Sequence, residues 1–439
     1  MPSIYFYIDE LARDAVVAAN LKSVLNNRNI KLVYGNRSSS SILKMFNPFD
    51  ILILPSLEHF RTEFPDLSRL KSKIIILPTE SVGLATKTLS RINAKYFGNE
   101  PDKCKPWFDA VSIFCLWGKD HLRCFQEIRP DSLSKCHVVG HPRFDDRCIK
   151  SPSISKGKKS VNKIKVGFIS RFSSINTFHS LSNLELVDLG MKRDNKVIPA
   201  FENSPDRDVE DRFYTQIMDI RIFILLFERL DLDRFDVTLR VHPRENRYEW
   251  LKLLAKIDNR INMAPWDMPF MHWASEQDYL IGPPSTSFYD CFVLGKKPVC
   301  TMNMVRKRAD YVLTESDDNN RILDYVYNPD TISELLGILC RKDESCDMPV
   351  ELKQIINGQT GLDICSDSIG NIANICSNIY DKLPDNKLSI ITKAGYVFIH
   401  FIKKLKARLK RIVLKEAEQS STFQLFYQRI KFIDKLSNN

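Results

Sequence analysis

Residues 239–246 read LRVHPREN and residues 282–290 read GPPSTSFYD. Each places polar side chains directly after a run suited to a buried strand, and the carboxyl ends of parallel strands are where open α/β sheets hold ligands. His242 precedes Pro243, which pushes its backbone out of the helical region. Its ring can donate a hydrogen bond to a phosphate or ribose oxygen, with Arg240 or Arg244 supplying charge; the plainer alternative is a structural turn histidine. Ser285, Thr286 and Ser287 stand just ahead of a helix-like stretch. Hydroxyls together with the exposed N–H groups of a helix start bind an anion without lysine or metal. Alternatively one of the three is only a helix cap and the others are incidental.

The first part of the chain offers a second group. Glu80 ends the strand-like KIIILPTE at 73–80 and is followed by a loop containing Gly83. Desolvation in a closing site would raise its pKa and suit it to take a proton from a sugar hydroxyl; as part of TESVG it could equally cap the next helix. Glu10, Arg13 and Asp14 follow the first strand and either line the same site or are solvated residues of a first helical turn. Asp231 and Asp233 in LDLDRFD resemble a DxD pair, yet they precede a strand and fit a solvated turn. The eleven cysteines show no CxxC pair, and no HExxH occurs, so free thiols in a reducing compartment are expected and no metal site.

The elements that must position these residues alternate. Strand candidates at 4–8, 31–35, 50–55, 73–80, 110–118 and 135–145 are separated by helix-like runs such as ELARDAVVAANLKSVLNNRN (10–29), a pattern that predicts a parallel sheet covered on both faces. Residues 149–161 turn to Ser, Lys and Gly and read as a linker. A second series then runs KVGFIS (165–170), a helix over 220–230, FDVTLRVHP (235–243), YLIGPPSTS (279–287) and KPVCTM (297–302). A chain of 439 residues that is 44% hydrophobic can fill two such cores. The expected domains are therefore 1–148 and 162–365, facing one another across a cleft, with a helical tail over 366–439.

The formal charge of +10 is drawn partly from FIKKLKARLKRIVLK at 401–415, which follows the apolar GYVFIHFI at 395–402. Such a basic amphipathic segment either lies on anionic lipid or presents a solvated face while docked on the protein. No recognised nucleic-acid module accompanies the cations, so no nucleic-acid partner is expected. The start of the sequence lacks the pattern of a secretory signal, and no window is long and apolar enough to span a bilayer, so a cytoplasmic protein is expected, peripheral on the inner membrane if the tail binds lipid.

The residues quoted carry a family resemblance. Glu10 with Arg13 and Asp14, LPTE (77–80), Trp117–Gly118, VVGHPRFD (138–145), GFISRF (167–172), RVHP (240–243) and PSTSFYDCFVLGKKPV (284–299) together resemble the bacterial surface carbohydrate biosynthesis proteins. These are GT-B glycosyltransferases distantly similar to capsule Kdo transferases, bacterial sialyltransferases and the polyol-phosphate transferases of teichoic acid synthesis. The resemblance implies two Rossmann-like domains and transfer of a sugar from a nucleotide donor to a carbohydrate or lipid-linked glycan acceptor. It favours CMP-Kdo or a related CMP-nonulosonate and requires no further cofactor. It assigns His242 with Pro243 and Ser285 with Thr286 to the nucleotide sugar, and Arg171, Arg240 and Ser287 beside them are further candidates for the same site. Glu80 would be the general base, although LPTES lacks the acidic pair followed by glycine of the sialyltransferases, and Glu10, Arg13, Asp14 and Arg143 would line the acceptor side. The rival activities are CDP-glycerol or CDP-ribitol phosphotransfer, and carbohydrate binding without catalysis.

Overall fold

The computed structural model describes residues 3–9, 11–35, 49–79, 88–149, 163–173, 175–176, 207–266, 268–308, 321–341 and 348–383. These form two compact units. The described residues up to 149, joined by those from 356 onward, make the first, and those from 163 to 355 make the second.

The first unit runs β1 (Ser3–Tyr7), α1 (Leu11–Asn26), β2 (Lys31–Gly35), β3 (Ile51–Leu54), α2 (Leu57–Glu63), β4 (Lys73–Ile76), α3 (Thr88–Phe97), α4 (Pro101–Ala110), β5 (Ile113–Leu116), α5 (Lys119–Ile128) and β6 (Cys136–Val138). Its strands form one sheet in the order β2-β1-β3-β4-β5-β6, with every pair parallel. Alternate residues of each strand feed opposite layers, as the two-residue repeat of a strand requires. Ile4, Phe6, Ile51, Ile53 and Ile75 pack on one side with Ala18, Leu21 and Leu25 of α1. Tyr5, Leu52, Leu54, Ile74, Ile76 and Phe114 pack on the other against Phe60, Tyr96, Phe108 and Phe125. Burial on both faces explains why these strands read as continuous apolar runs.

The second unit contains β7 (Ile164–Ile169), α6 (Arg207–Arg229), β8 (Phe235–Arg240), α7 (Arg247–Ile257), β9 (Asn262–Met263), β10 (Tyr279–Gly282), α8 (Ser287–Val293) and β11 (Val299–Cys300). The sheet order is β11-β10-β7-β8-β9, again parallel throughout. Val166 and Phe168 of β7 meet Phe223, Leu226 and Phe227 of α6 in its core. Gly282 ends β10 where a Cβ would stand 2.9 Å from the Ile169 carbonyl oxygen, so only glycine lets the ends of β10 and β7 approach this closely.

The chain then passes through α9 (Val350–Thr360) to α10 (Ser368–Asp381). The sequence places the second domain's end at 365 and a separate tail after it; the structure differs. Ile369, Ile372, Ala373 and Cys376 recur at helical spacing and belong to the same core as Ile4, Phe6 and Leu21 of the first unit. The Ile369 N–H donates to the buried Asp145 carboxylate at 2.8 Å, and the Ser368 hydroxyl to the Gly140 carbonyl at 2.8 Å. Periodicity announces a helix and its apolar face, but not which sheet that face will cover. The linker residues 150–161 and the basic segment 395–415 lie outside the described residues.

Candidate functional site

In the second sheet the chain leaves β7 for β8 on one side and returns to β10 on the other, so the carboxyl ends of β7 and β10 flank the point where strand order reverses. Crevices at such points are the usual ligand positions of open α/β sheets. Arg171, two residues past β7, donates a guanidinium N–H to the carbonyl of Pro284, just past β10, and thus spans this point. On the β8 side the His242 N–H donates to the Ser170 hydroxyl oxygen at 2.9 Å, while Ser170 donates to the Arg240 carbonyl at 3.2 Å. Three strand ends are thereby joined by polar contacts.

The turn VHPREN fixes the His242 ring. Its Nδ1 accepts the Arg244 backbone N–H at 3.2 Å, so a neutral ring carries its proton on Nε2. The turn is held from below by Glu245, 1% exposed, whose carboxylate accepts the Phe172 N–H at 2.6 Å and the Trp250 Nε1–H at 2.7 Å. Burial pushes the Glu245 carboxyl up to about 7 against those hydrogen bonds. Asp219 of α6 is likewise pushed up to about 7 by burial; it accepts the Thr301 hydroxyl and feels the charge of Arg171. Neither carboxyl stands out in the sequence. Glu245 is hidden in a turn dominated by His242 and Pro243, and Asp219 lies in a long helix whose pattern announces only an apolar face.

The remaining residues expected here divide. Ser285 is 8% exposed, and its Oγ accepts the Ser287 N–H at 3.2 Å, so it closes the turn before α8. Thr286 occupies the cap position without a side-chain cap bond and is half-buried, as is Ser287. Because α8 has only seven residues, anion binding would rest on these hydroxyls and Arg171 rather than on a helix dipole. Arg240 is nearly buried and donates to the Pro265 carbonyl at 2.6 Å, a role in holding the next loop. Pro243 sits half-buried in the turn, which it shapes.

The first sheet has its own reversal, between β1 and β3. Arg13 of α1 donates to Thr79 Oγ1 at 3.1 Å, to Asp14 Oδ1 at 2.8 Å and to Asp9 Oδ2 at 3.3 Å, linking the exits of β1 and β4. Asp14 is 1% exposed and its Oδ2 accepts the Asp9 N–H at 3.0 Å, so it fastens the turn into α1 instead of facing solvent. His59 of α2 brings its Nε2 to 3.6 Å from Asp9 Oδ1 and its Nδ1 to 2.8 Å from Ser56 Oγ. Asp9, Ser56 and His59 carry no signal in the sequence beyond their place just after the strands β1 and β3. Glu10 and Glu80 lie outside the described residues.

Arg143 belongs to a second HPR turn after β6. There His141 Nδ1 accepts the Arg143 N–H at 3.1 Å, the same local bond as in the His242 turn. His141 is stacked on Trp117 at 3.7 Å and buried, and burial with the charges of Arg143 and Arg13 keeps its pKa well below the ordinary histidine value. Among the described residues no group of three or more His, Cys, Asp or Glu side chains is placed to hold a metal ion, and no helix is long and apolar enough to cross a membrane. The ten described cysteines are free.

No family model matches the chain. No curated protein matches it either. Solved structures do. The wall teichoic acid polymerase TagF with CDPG is 10% identical, covering 87% of this chain and 90% of its own, with a TM-score of 0.50. The MnaA–UDP structure of S. aureus is 11% identical over 87% of this chain and 98% of its own, at a TM-score of 0.48. UDP-GlcNAc 2-epimerase of Methanocaldococcus jannaschii, with UDP-GlcNAc and UDP, is 10% identical over 86% and 99%, at 0.45. Two parallel α/β units in this arrangement of elements are the GT-B fold.

Proposed function

We propose that the chain is a GT-B glycosyltransferase that takes a sugar from a nucleotide-activated donor and delivers it to a carbohydrate or lipid-linked glycan of the cell surface. The observation that carries this reading is the convergence of Arg171, His242 and the 285–287 hydroxyls on the carboxyl ends of β7, β8 and β10. A departing nucleotide phosphate gains negative charge as the glycosidic bond breaks. A guanidinium, an imidazole Nε2–H and hydroxyl donors fixed in advance can stabilise that charge without reorganising. Glu80, adjacent in sequence to the Thr79 that Arg13 holds, would be the base that takes the acceptor's proton.

The TagF and MnaA structures carry CDPG and UDP on the same fold. They lend no support to a CMP-linked nonulosonate in particular, so the proposed donor class is a nucleotide-activated sugar with the base open. Because the TagF structure matches at a TM-score of 0.50, polyol-phosphate transfer from a CDP-polyol is the second reading. Isothermal titration of the full chain with CMP, CDP, UDP and GDP tests both. Binding of one of them, weakened by Arg171→Ala and His242→Ala, supports the site, and binding of none rejects it. A phosphodiester in the product would select the second reading over the first.

A further inference from the structure

The carboxyl end of the first sheet holds a donor and an acceptor that the nucleotide site does not use. Ser56, 3% exposed, accepts the His59 backbone N–H at 3.2 Å and lies 2.8 Å from His59 Nδ1. The Asp9 carboxylate that faces Nε2 favours the proton of a neutral ring there, and the Ser56 hydroxyl then donates to Nδ1. That Nε2 faces Asp9 Oδ1 at 3.6 Å, longer than a direct hydrogen bond, and the two side chains remain 29% and 28% exposed.

We propose that Asp9 and His59 bind and orient a hydroxyl of a neutral polyol or sugar, at a site formed by the first unit alone. One hydroxyl fits the pair: its oxygen accepts from His59 Nε2–H and its hydrogen goes to Asp9 Oδ1. Both partners are held in advance. Asp9 is fixed through its N–H by the buried Asp14 at 3.0 Å and through Oδ2 by Arg13 at 3.3 Å, and the His59 ring meets the edge of Tyr7 at 5.3 Å. The facing His59, with Arg13 and Lys95, holds the Asp9 carboxyl well below the usual carboxylate range against the opposing effect of burial. It therefore stays an ionised acceptor and is too weak a base to remove the proton itself, a task left to another group. Neighbouring charges of both signs disfavour an ionic ligand: an anion meets Asp9, and a cation meets Arg13 and Lys95. The position, at the β1/β3 reversal, is where such sheets bind ligands.

This inference rests on the transferase reading only for the identity of its ligand as the acceptor. It is tested without that reading. Full-length protein labelled with ¹⁵N-histidine is titrated with glycerol, ribitol and methyl β-D-galactopyranoside, and the His59 Nε2 resonance is followed. A saturable shift with at least one probe is expected, lost in Asp9→Ala and weakened at least fivefold in Asp9→Asn, which keeps the shape but changes one acceptor for a donor. The remaining histidine signals report that each variant is folded. No shift with any probe, or one that persists in Asp9→Ala, overturns the proposal. Failure of every nucleotide to bind, with the polyol shift intact, removes the transferase reading and leaves this site standing.

Discussion

In His242 the Nδ1 accepts a backbone N–H, so the donor of a neutral ring is Nε2–H. Its replacement by alanine should weaken nucleotide binding about 10- to 150-fold, the equivalent of about 1.5–3 kcal/mol for a hydrogen bond to a charged group, with little change in melting temperature. Equal losses in stability and binding would make it structural. For Glu80→Gln the expectation is opposite in kind: turnover falls by about 10²-fold or more while nucleotide affinity holds, as measured by steady-state kinetics beside titration. Asp219 gives a pH test. Burial raises its folded pKa from 3.8 to about 7, so between those values the folded state binds more protons than the unfolded and stability falls as pH rises. Asp219→Asn keeps an oxygen for the Thr301 hydroxyl but cannot ionise. The melting temperature of the variant relative to the parent should therefore climb from pH 4 to pH 7 and level off above, and a difference independent of pH would place the carboxyl's titration elsewhere.

At the scale of elements, α10 carries a sharper test of how the chain is divided. A chain ending at 365 loses Ile369, Ile372, Ala373 and Cys376 from the first core and should be insoluble, whereas one ending at 383 should remain folded by circular dichroism. Ile372→Ala, at a fully buried position, should cost about 2–5 kcal/mol in denaturant unfolding. The strands and their parallel pairing were legible in the sequence because burial on both faces writes itself as apolar runs such as DILILP and KIIILP. The turn at His242 was legible for a related reason, since a proline after such a run pushes the residue before it out of the helical region, although the same local turn at His141 holds a buried, stacked ring. What the sequence did not disclose depends on partners far along the chain. The sequence shows Asp14 and Arg240 as polar residues after strands, but not that Asp14 accepts the Asp9 N–H or that Arg240 gives an N–H to the Pro265 carbonyl, as Arg171 does to that of Pro284. Asp9 and His59 look unremarkable until the β1/β3 pairing brings 50 residues of separation down to 3.6 Å.

For the whole molecule, the basic segment bears on where the protein works. Lys403, Lys404, Lys406, Arg408, Lys410, Arg411 and Lys415 follow the apolar GYVFIHFI, and the chain as a whole carries +10. An enzyme acting on lipid-linked glycans gains from residence at the surface where they collect. Apolar burial and charge each give only marginal attachment, whereas together they give reversible binding, each cation near an anionic surface contributing about 1 kcal/mol. The attraction extends over about 8 Å at physiological ionic strength and shrinks to about 3 Å at 1 M. The full chain should therefore float with vesicles containing phosphatidylglycerol at low salt, remain in the soluble fraction with neutral vesicles, and be released as salt is raised. A version ending at 383 lacks the segment and keeps α10, whose side chains belong to the first core. Its recovery with anionic vesicles should drop to the background seen with neutral ones; equal flotation of the two forms would mean that the basic segment does not attach the protein to membranes and that its cations are a solvated face.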